Sequence, residues 1–188
     1  MTRSLTTPAG LHVLHEGSDA LPLVGVGLTM RTGSLHDPHG REGATRLMAQ
    51  AMRMGSAGMS AHALQDELDT LGAQMSVSCG HGYTSLGGVV LADNVERFVE
   101  LLATVFARPA FRAGDVAQVK RETLGRLANL LDDDRSLAAH HFRRYAFGRH
   151  PFGRPIAGTP ASVRRVRRED LVRQHRRGLS TPNLAPGF

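Results

Sequence analysis

Gly43-Ala44-Thr45-Arg46-Leu47-Met48-Ala49-Gln50-Ala51-Met52-Arg53-Met54-Gly55 decides how the rest of this chain is read. Ala44, Leu47, Met48, Ala51 and Met52 recur at i, i+3, i+4, i+7 and i+8, which is one apolar stripe of an α-helix. Gly55 stands where a left-handed C-terminal cap is expected. Arg46, Gln50 and Arg53 share another face. Positions 46 and 50 lie four apart, so their side chains stack one turn over the other.

Two histidines at that spacing, with a glutamate between them, form the H-x-x-E-H arrangement that holds one metal ion. This helix reads R-x-x-A-Q instead. A guanidinium is permanently protonated and has no lone pair to give. Ala49 cannot act as a general base. Gln50 offers an amide oxygen, which suits hard cations better than zinc.

Before this helix, Leu11–Leu14 reads as a short strand after the Pro8-Ala9-Gly10 turn, and Leu21–Met30 as a second strand. Its Gly25 and Gly27 share one face and would let another backbone come close. His36-Asp37-Pro38-His39 reads as a solvated polar loop. After the helix, Ser60 is the expected N-cap of a helix whose buried stripe is Leu64, Leu68 and Leu71. Met75, Val77 and Cys79 then alternate with Gln74, Ser76 and Ser78 as a half-buried strand, and Tyr83–Leu91 returns as its hairpin partner. Cys79 is expected to pack as a small hydrophobe.

The second half of the chain is mainly helical. Asp93 and Glu96 have capping-box spacing before a helix ending at Ala107, ahead of Pro109. Val116–Leu131 forms the next helix, and Asp132-Asp133-Asp134 reads as a loop and cap rather than a cation site. Ser136–Phe147 follows, with Leu137, Ala138, His141, Phe142 and Tyr145 on one side, so His141 is expected in the core. Thr159-Pro160 is an N-cap with proline at the first helical position. Pro186 and Gly187 argue against a strand after Asn183, so the last edge strand is expected to be missing or altered. Together these elements give a single α+β domain over residues 1–188, an antiparallel sheet with helices packed on one face.

Four stretches taken together resemble the pitrilysin/insulinase-like metallopeptidases, the inverzincins, which include the mitochondrial processing peptidase subunits. They are Gly33-Ser34 before Gly40-Arg41-Glu42-Gly43-Ala44; Ser60–Ala73; Lys120-Arg121-Glu122; and His150–Leu171, HPFGRPIAGTPASVRRVRREDL, the most specific. The resemblance runs from about Leu5 to Asn183. It implies a metallopeptidase half-domain in which the two histidine ligands land on Arg46 and Gln50. The base glutamate lands on Ala49, and the third ligand on Gly125 or Arg126. No ligand position is retained. An intact fold around an emptied site is how noncatalytic subunits of this family look. The resemblance therefore implies no cofactor in this chain, with zinc carried only by a partner: a zinc-bearing homologous subunit or a second peptidase-like domain. It also implies that Met75, Ser76, Val77, Ser78 and Cys79 form the strand on which a peptide substrate adds by main-chain pairing. The family's asparagine on that strand lands on Ser76. An ordinary hairpin buried against a partner is the competing reading of this strand.

Composition bounds the alternatives. The net charge is +6, carried almost wholly by arginine, with Lys120 the only lysine. A single cysteine excludes an internal disulfide. Residues 1–10 lack the apolar core of a secretory signal, and no apolar run approaches a membrane span, so a cytoplasmic protein without membrane contact is expected. Two other functions compete. An active zinc endopeptidase with displaced ligands would need three convergent groups among His12, His36, His39, His81 and Glu122. A nucleic-acid module would use Arg164, Arg165, Arg167, Arg168, Arg173, Arg176 and Arg177 to neutralise phosphates, but base-stacking aromatics are scarce in that segment.

Overall fold

The computed structural model describes all residues except 1, 9, 19, 131, 132, 180–182 and 188. Strands β1 (Thr2–Thr6), β2 (His12–Glu16), β3 (Leu23–Met30), β4 (Gln74–Cys79), β5 (Thr84–Leu91) and β6 (Leu184–Gly187) form one sheet in the order β1-β2-β6-β3-β5-β4. The helices are α1 (Ala44–Met52), α2 (Ala61–Thr70), α3 (Val95–Ala107), α4 (Ala113–Asn129), α5 (Asp134–Phe147), α6 (Pro160–Arg165) and α7 (Arg168–Gly178).

The core lies between one sheet face and the helices. Val24, Val26, Leu28 and Met30 of β3, Leu86 and Val90 of β5, and Met75, Val77 and Cys79 of β4 meet the stripes of α1 to α4 and Leu171 of α7. The other face is open. Leu14, Val89 and Leu91 are exposed there, and Gly27 stands in register with both Gly87 and Gly187. The glycine face expected from the sequence is thus the open face of the sheet.

Sequence patterning places most elements correctly, with local differences. The edge strand expected to be missing or altered after Asn183 is present, and lies inside the sheet. β6 pairs antiparallel with β3, Leu28 opposite Pro186, and parallel with β2. Among the described residues the parallel side is paired only at Leu14 opposite Gly187, so the ladder around Pro186 asks little of its missing N–H. It fills the gap between β2 and β3, leaving β1 and β4 as the sheet's edges. The expected Asp93 capping box does not form. Residues 92–94 make a 3-10 turn, and Asn94 caps α3 without a side-chain hydrogen bond. Asp133 does cap α5, accepting from Arg135 N at 3.1 Å and Ser136 Oγ at 2.6 Å. Leu131 and Asp132, expected to end α4 and open the aspartate loop, lie outside the described residues.

His141 is exposed and does not join the core. α5 has no buried residue at all; Phe142 is 73% and Tyr145 91% exposed. Phe147 packs edge to face on Phe152 with ring centroids 5.9 Å apart, and a cavity of about 240 Å3 lined in part by Leu127, Leu137 and His141 borders the helix. The expected helix forms, but the buried face read from its spacing does not.

Candidate functional site

Helix α1 is held at its N-terminus by groups from three distant segments. Asp37, expected in a solvated loop, is buried. Its carboxylate accepts from Gly43 N at 2.7 Å, Thr45 N at 2.8 Å and Thr45 Oγ1 at 2.6 Å. These are the orphan donors of the helix start, where a negative charge is also favoured. Burial pushes the Asp37 carboxyl above the usual 3.8, against the hydrogen bonds that pull it down.

The residues that carry the resemblance in His150–Leu171 converge on the same point. Gly43 and Gly158 approach backbone to backbone: a Cβ on Gly43 would meet Ala157 O at 2.7 Å, and one on Gly158 would meet Glu42 O at 2.1 Å. Both have positive φ, +95° and +76°, which glycine adopts without strain. Ser162 Oγ donates to Glu42 O at 2.8 Å. Arg41 Nη1 donates to both carboxylate oxygens of Asp170, which also accepts from Arg167 N at 2.8 Å. Sequence reasoning missed Asp37 and the Arg41–Asp170 pair. Both join groups from separate segments, and neither leaves a periodic trace.

Thus anchored, α1 presents Arg46, Ala49 and Gln50 toward Val77, Ser78 and Cys79 of β4 across a cleft of about 230 Å3. Gln50 Oε1 accepts from Arg126 Nη2 at 2.8 Å and from Thr123 Oγ1 at 3.3 Å, both on α4. Of the two positions open for the third ligand, Arg126 is the one hydrogen-bonded to α1. Gln50 also lines a second cavity of about 310 Å3, with Arg53, Glu122 and Arg126. Arg46 is half-buried and, among the described residues, has neither a hydrogen bond nor a carboxylate partner.

These residues do not fit the zinc ion that the family implies. Arg46 and Arg126 have no lone pair, Ala49 has no donor atom, and the one oxygen of Gln50 is committed to α4. The displaced-ligand set is not gathered either. His12 Nδ1 pairs with Thr6 Oγ1 at 3.1 Å, His81 Nδ1 with Ser34 Oγ at 3.1 Å, and Glu122 with Gln118 Nε2 at 3.0 Å. Among the described residues no group of three or more His, Cys, Asp or Glu is placed to hold a metal.

Strand β4 has one neighbour, β5, so its other edge is unpaired within this sheet. Ser76 and Ser78 point to the open face, and Met75, Val77 and Cys79 toward the core. Burial pushes the Cys79 thiol up to about 11, so it stays protonated and packs, as expected. The arginines of α6 and α7 lie exposed on a separate surface; Arg168, Arg173 and Arg176 border a shallow hollow there, with no aromatic residue in either helix. Among the described residues no helix is long and apolar enough to cross a membrane.

The sequence model of the family described as Insulinase (Peptidase family M16) matches residues 13–160. The chain belongs to that family. An uncharacterized zinc protease of Mycobacterium tuberculosis is 27% identical over 175 residues, covering 93% of this chain and 40% of that protein. A protein of Arabidopsis thaliana described as "Probable mitochondrial-processing peptidase subunit beta, mitochondrial" is 24% identical over 170 residues, 90% of this chain and 32% of its own length. A solved structure described as a peptidase M16 inactive domain from Pseudomonas fluorescens superposes with a TM-score of 0.92 at 22% identity, over 100% of this chain and 46% of that one. A protease from Helicobacter pylori superposes at 0.90 with 14% identity, over 100% of this chain and 45% of that one. The chain therefore spans less than half the length of these proteins.

Proposed function

We propose that this chain is a noncatalytic peptidase-like domain that pairs with a zinc-bearing homologous domain and helps enclose a peptide for processing. One observation carries the reading: the Arg126–Gln50 hydrogen bond stands where the family's ligands would converge. Gln50 and Arg126 satisfy each other there, with Thr123 beside them, which supports a settled arrangement rather than a broken metal site. The similarity to a domain described as inactive agrees with it. Pairing is supported by α5, whose aromatic side is exposed in this chain, and by relatives more than twice as long, which carry further protein. Peptide engagement is supported by the unpaired edge of β4 beside the cleft.

The test is a zinc titration of the isolated chain by calorimetry, followed by sedimentation of the chain mixed with a zinc-bearing homologue from the same source. No saturable zinc binding alone, with a heterodimer on mixing, is the expected result. Stoichiometric zinc together with peptide cleavage by the isolated chain would overturn it.

A further inference from the structure

At a position onto which the family resemblance places a metal ligand, Arg46 has no carboxylate partner among the described residues. Arg46 is half-buried and lines the cleft opposite Val77, Ser78 and Cys79. Asp37, the carboxylate at the start of α1, is consumed by the helix N-terminus. A guanidinium partly removed from water and unpaired is under-satisfied, and the group that satisfies it best is a carboxylate accepting two parallel hydrogen bonds. A second donor faces the same cleft. Arg126 fixes the Gln50 amide with its oxygen toward α4, so the Gln50 Nε2 hydrogens are the ones left to donate. Ala49 adds only a methyl group to the wall. The cleft's volume of about 230 Å3 accommodates a side-chain carboxylate with its methylenes.

We infer that this cleft binds an acidic side chain of an extended peptide paired along the free edge of β4, with Arg46 and Gln50 as the donors to its carboxylate. This rests on the reading of β4 as a peptide-binding edge. Strand pairing alone is blind to sequence, because it uses main-chain groups. Arg46 adds the selection. The chemistry is complementary in charge as well as shape: Arg46, Arg53 and Arg126 surround Gln50, and Glu122 is the one acidic residue lining the adjoining cavity. The position onto which the family resemblance places a metal ligand would here bind an anion.

The experiment measures fluorescence anisotropy of labelled peptides with blocked termini, β-prone and identical except for one central Glu or Gln, against the wild-type chain, Arg46→Gln and Arg46→Lys. Circular dichroism checks that the variants are folded. The Glu peptide is expected to bind about tenfold or more tighter than the Gln peptide. The preference should vanish in Arg46→Gln, survive weakened in Arg46→Lys, and shrink with added salt. Equal binding of the two peptides overturns the inference while leaving peptide binding at β4 intact. A preference that appears only for a free C-terminal carboxylate, tested with an unblocked Gln peptide, also overturns it. Binding of neither peptide removes the inference together with the peptide-binding reading beneath it.

Discussion

Arg126 Nη2 donates to Gln50 Oε1 at 2.8 Å across 76 residues of sequence, tying α4 to α1. The contact places position 126 next to position 50, while position 46 lies one turn away on α1. The fold therefore sets positions 46, 50 and 126 close together on two facing helices. The combined variant Arg46→His, Gln50→His and Arg126→Glu supplies two imidazoles at i, i+4 and a carboxylate from the facing helix. It is expected to take up equimolar zinc in equilibrium dialysis, read by elemental mass spectrometry, where the wild type does not. Failure of the folded variant to bind zinc would mean that α1 and α4 are spaced differently.

The Asp170 side chain is fully buried and receives both Arg41 and the backbone of Arg167. Removing one partner of such a pair strands the other, which costs about 3–5 kcal/mol. Asp170→Ala is expected to destabilise the chain by that order in urea unfolding. Arg168→Ala, whose guanidinium is exposed and donates to Phe111 O, should cost less. Equal small effects would show that the motif does not hold α7 to the start of α1.

His175 is buried and donates through Nε2 to Phe106 O at 2.7 Å. Burial lowers its pKa below the usual 6.5. The unfolded chain then binds a proton that the folded chain resists, so stability is fully present above pH 6.5 and is lost as pH falls through the depressed folded value. His175→Gln keeps a donor for Phe106 and removes the titration. It should flatten the acid limb of unfolding free energy against pH. His81 and His140 shift the same way while being less buried, so part of the slope remains.

Phe142 and Tyr145 contribute little to this chain's own core. Replacing both with serine is expected to change its unfolding free energy by less than about 1 kcal/mol, since exposed positions rarely matter more. The same change should abolish pairing with the zinc-bearing homologue in sedimentation. Loss of stability without loss of pairing would place the interface elsewhere.

What could be read from the sequence followed from local periodicity. The stripes of α1 and α2, the alternation in β4 and the caps at Ser60 and Thr159 are each set by residues within a few positions, and all appear as expected. The grouping of Arg46, Ala49 and Gln50 beside one cleft was legible because they sit at fixed spacing on one helix. The misses depend on partners far away in the chain. Pro186 reads as a strand breaker until β2 and β3 are seen on either side of it. Asp37 reads as a loop residue until the start of α1 is folded onto it. His141 reads as buried because an amphipathic pattern records that a face is apolar, and does not record which molecule covers it.

In the proposed pairing the chain adds function to a catalytic partner and has none alone. The most direct measurement is the peptide hydrolysis rate of a fixed amount of zinc-bearing homologue as this chain is titrated into it, with the chain alone as control. No hydrolysis by the chain alone is expected, with a rate that rises and saturates at equimolar ratio on mixing. Hydrolysis by the chain alone that a chelator abolishes, or a homologue whose rate ignores added chain, would contradict it.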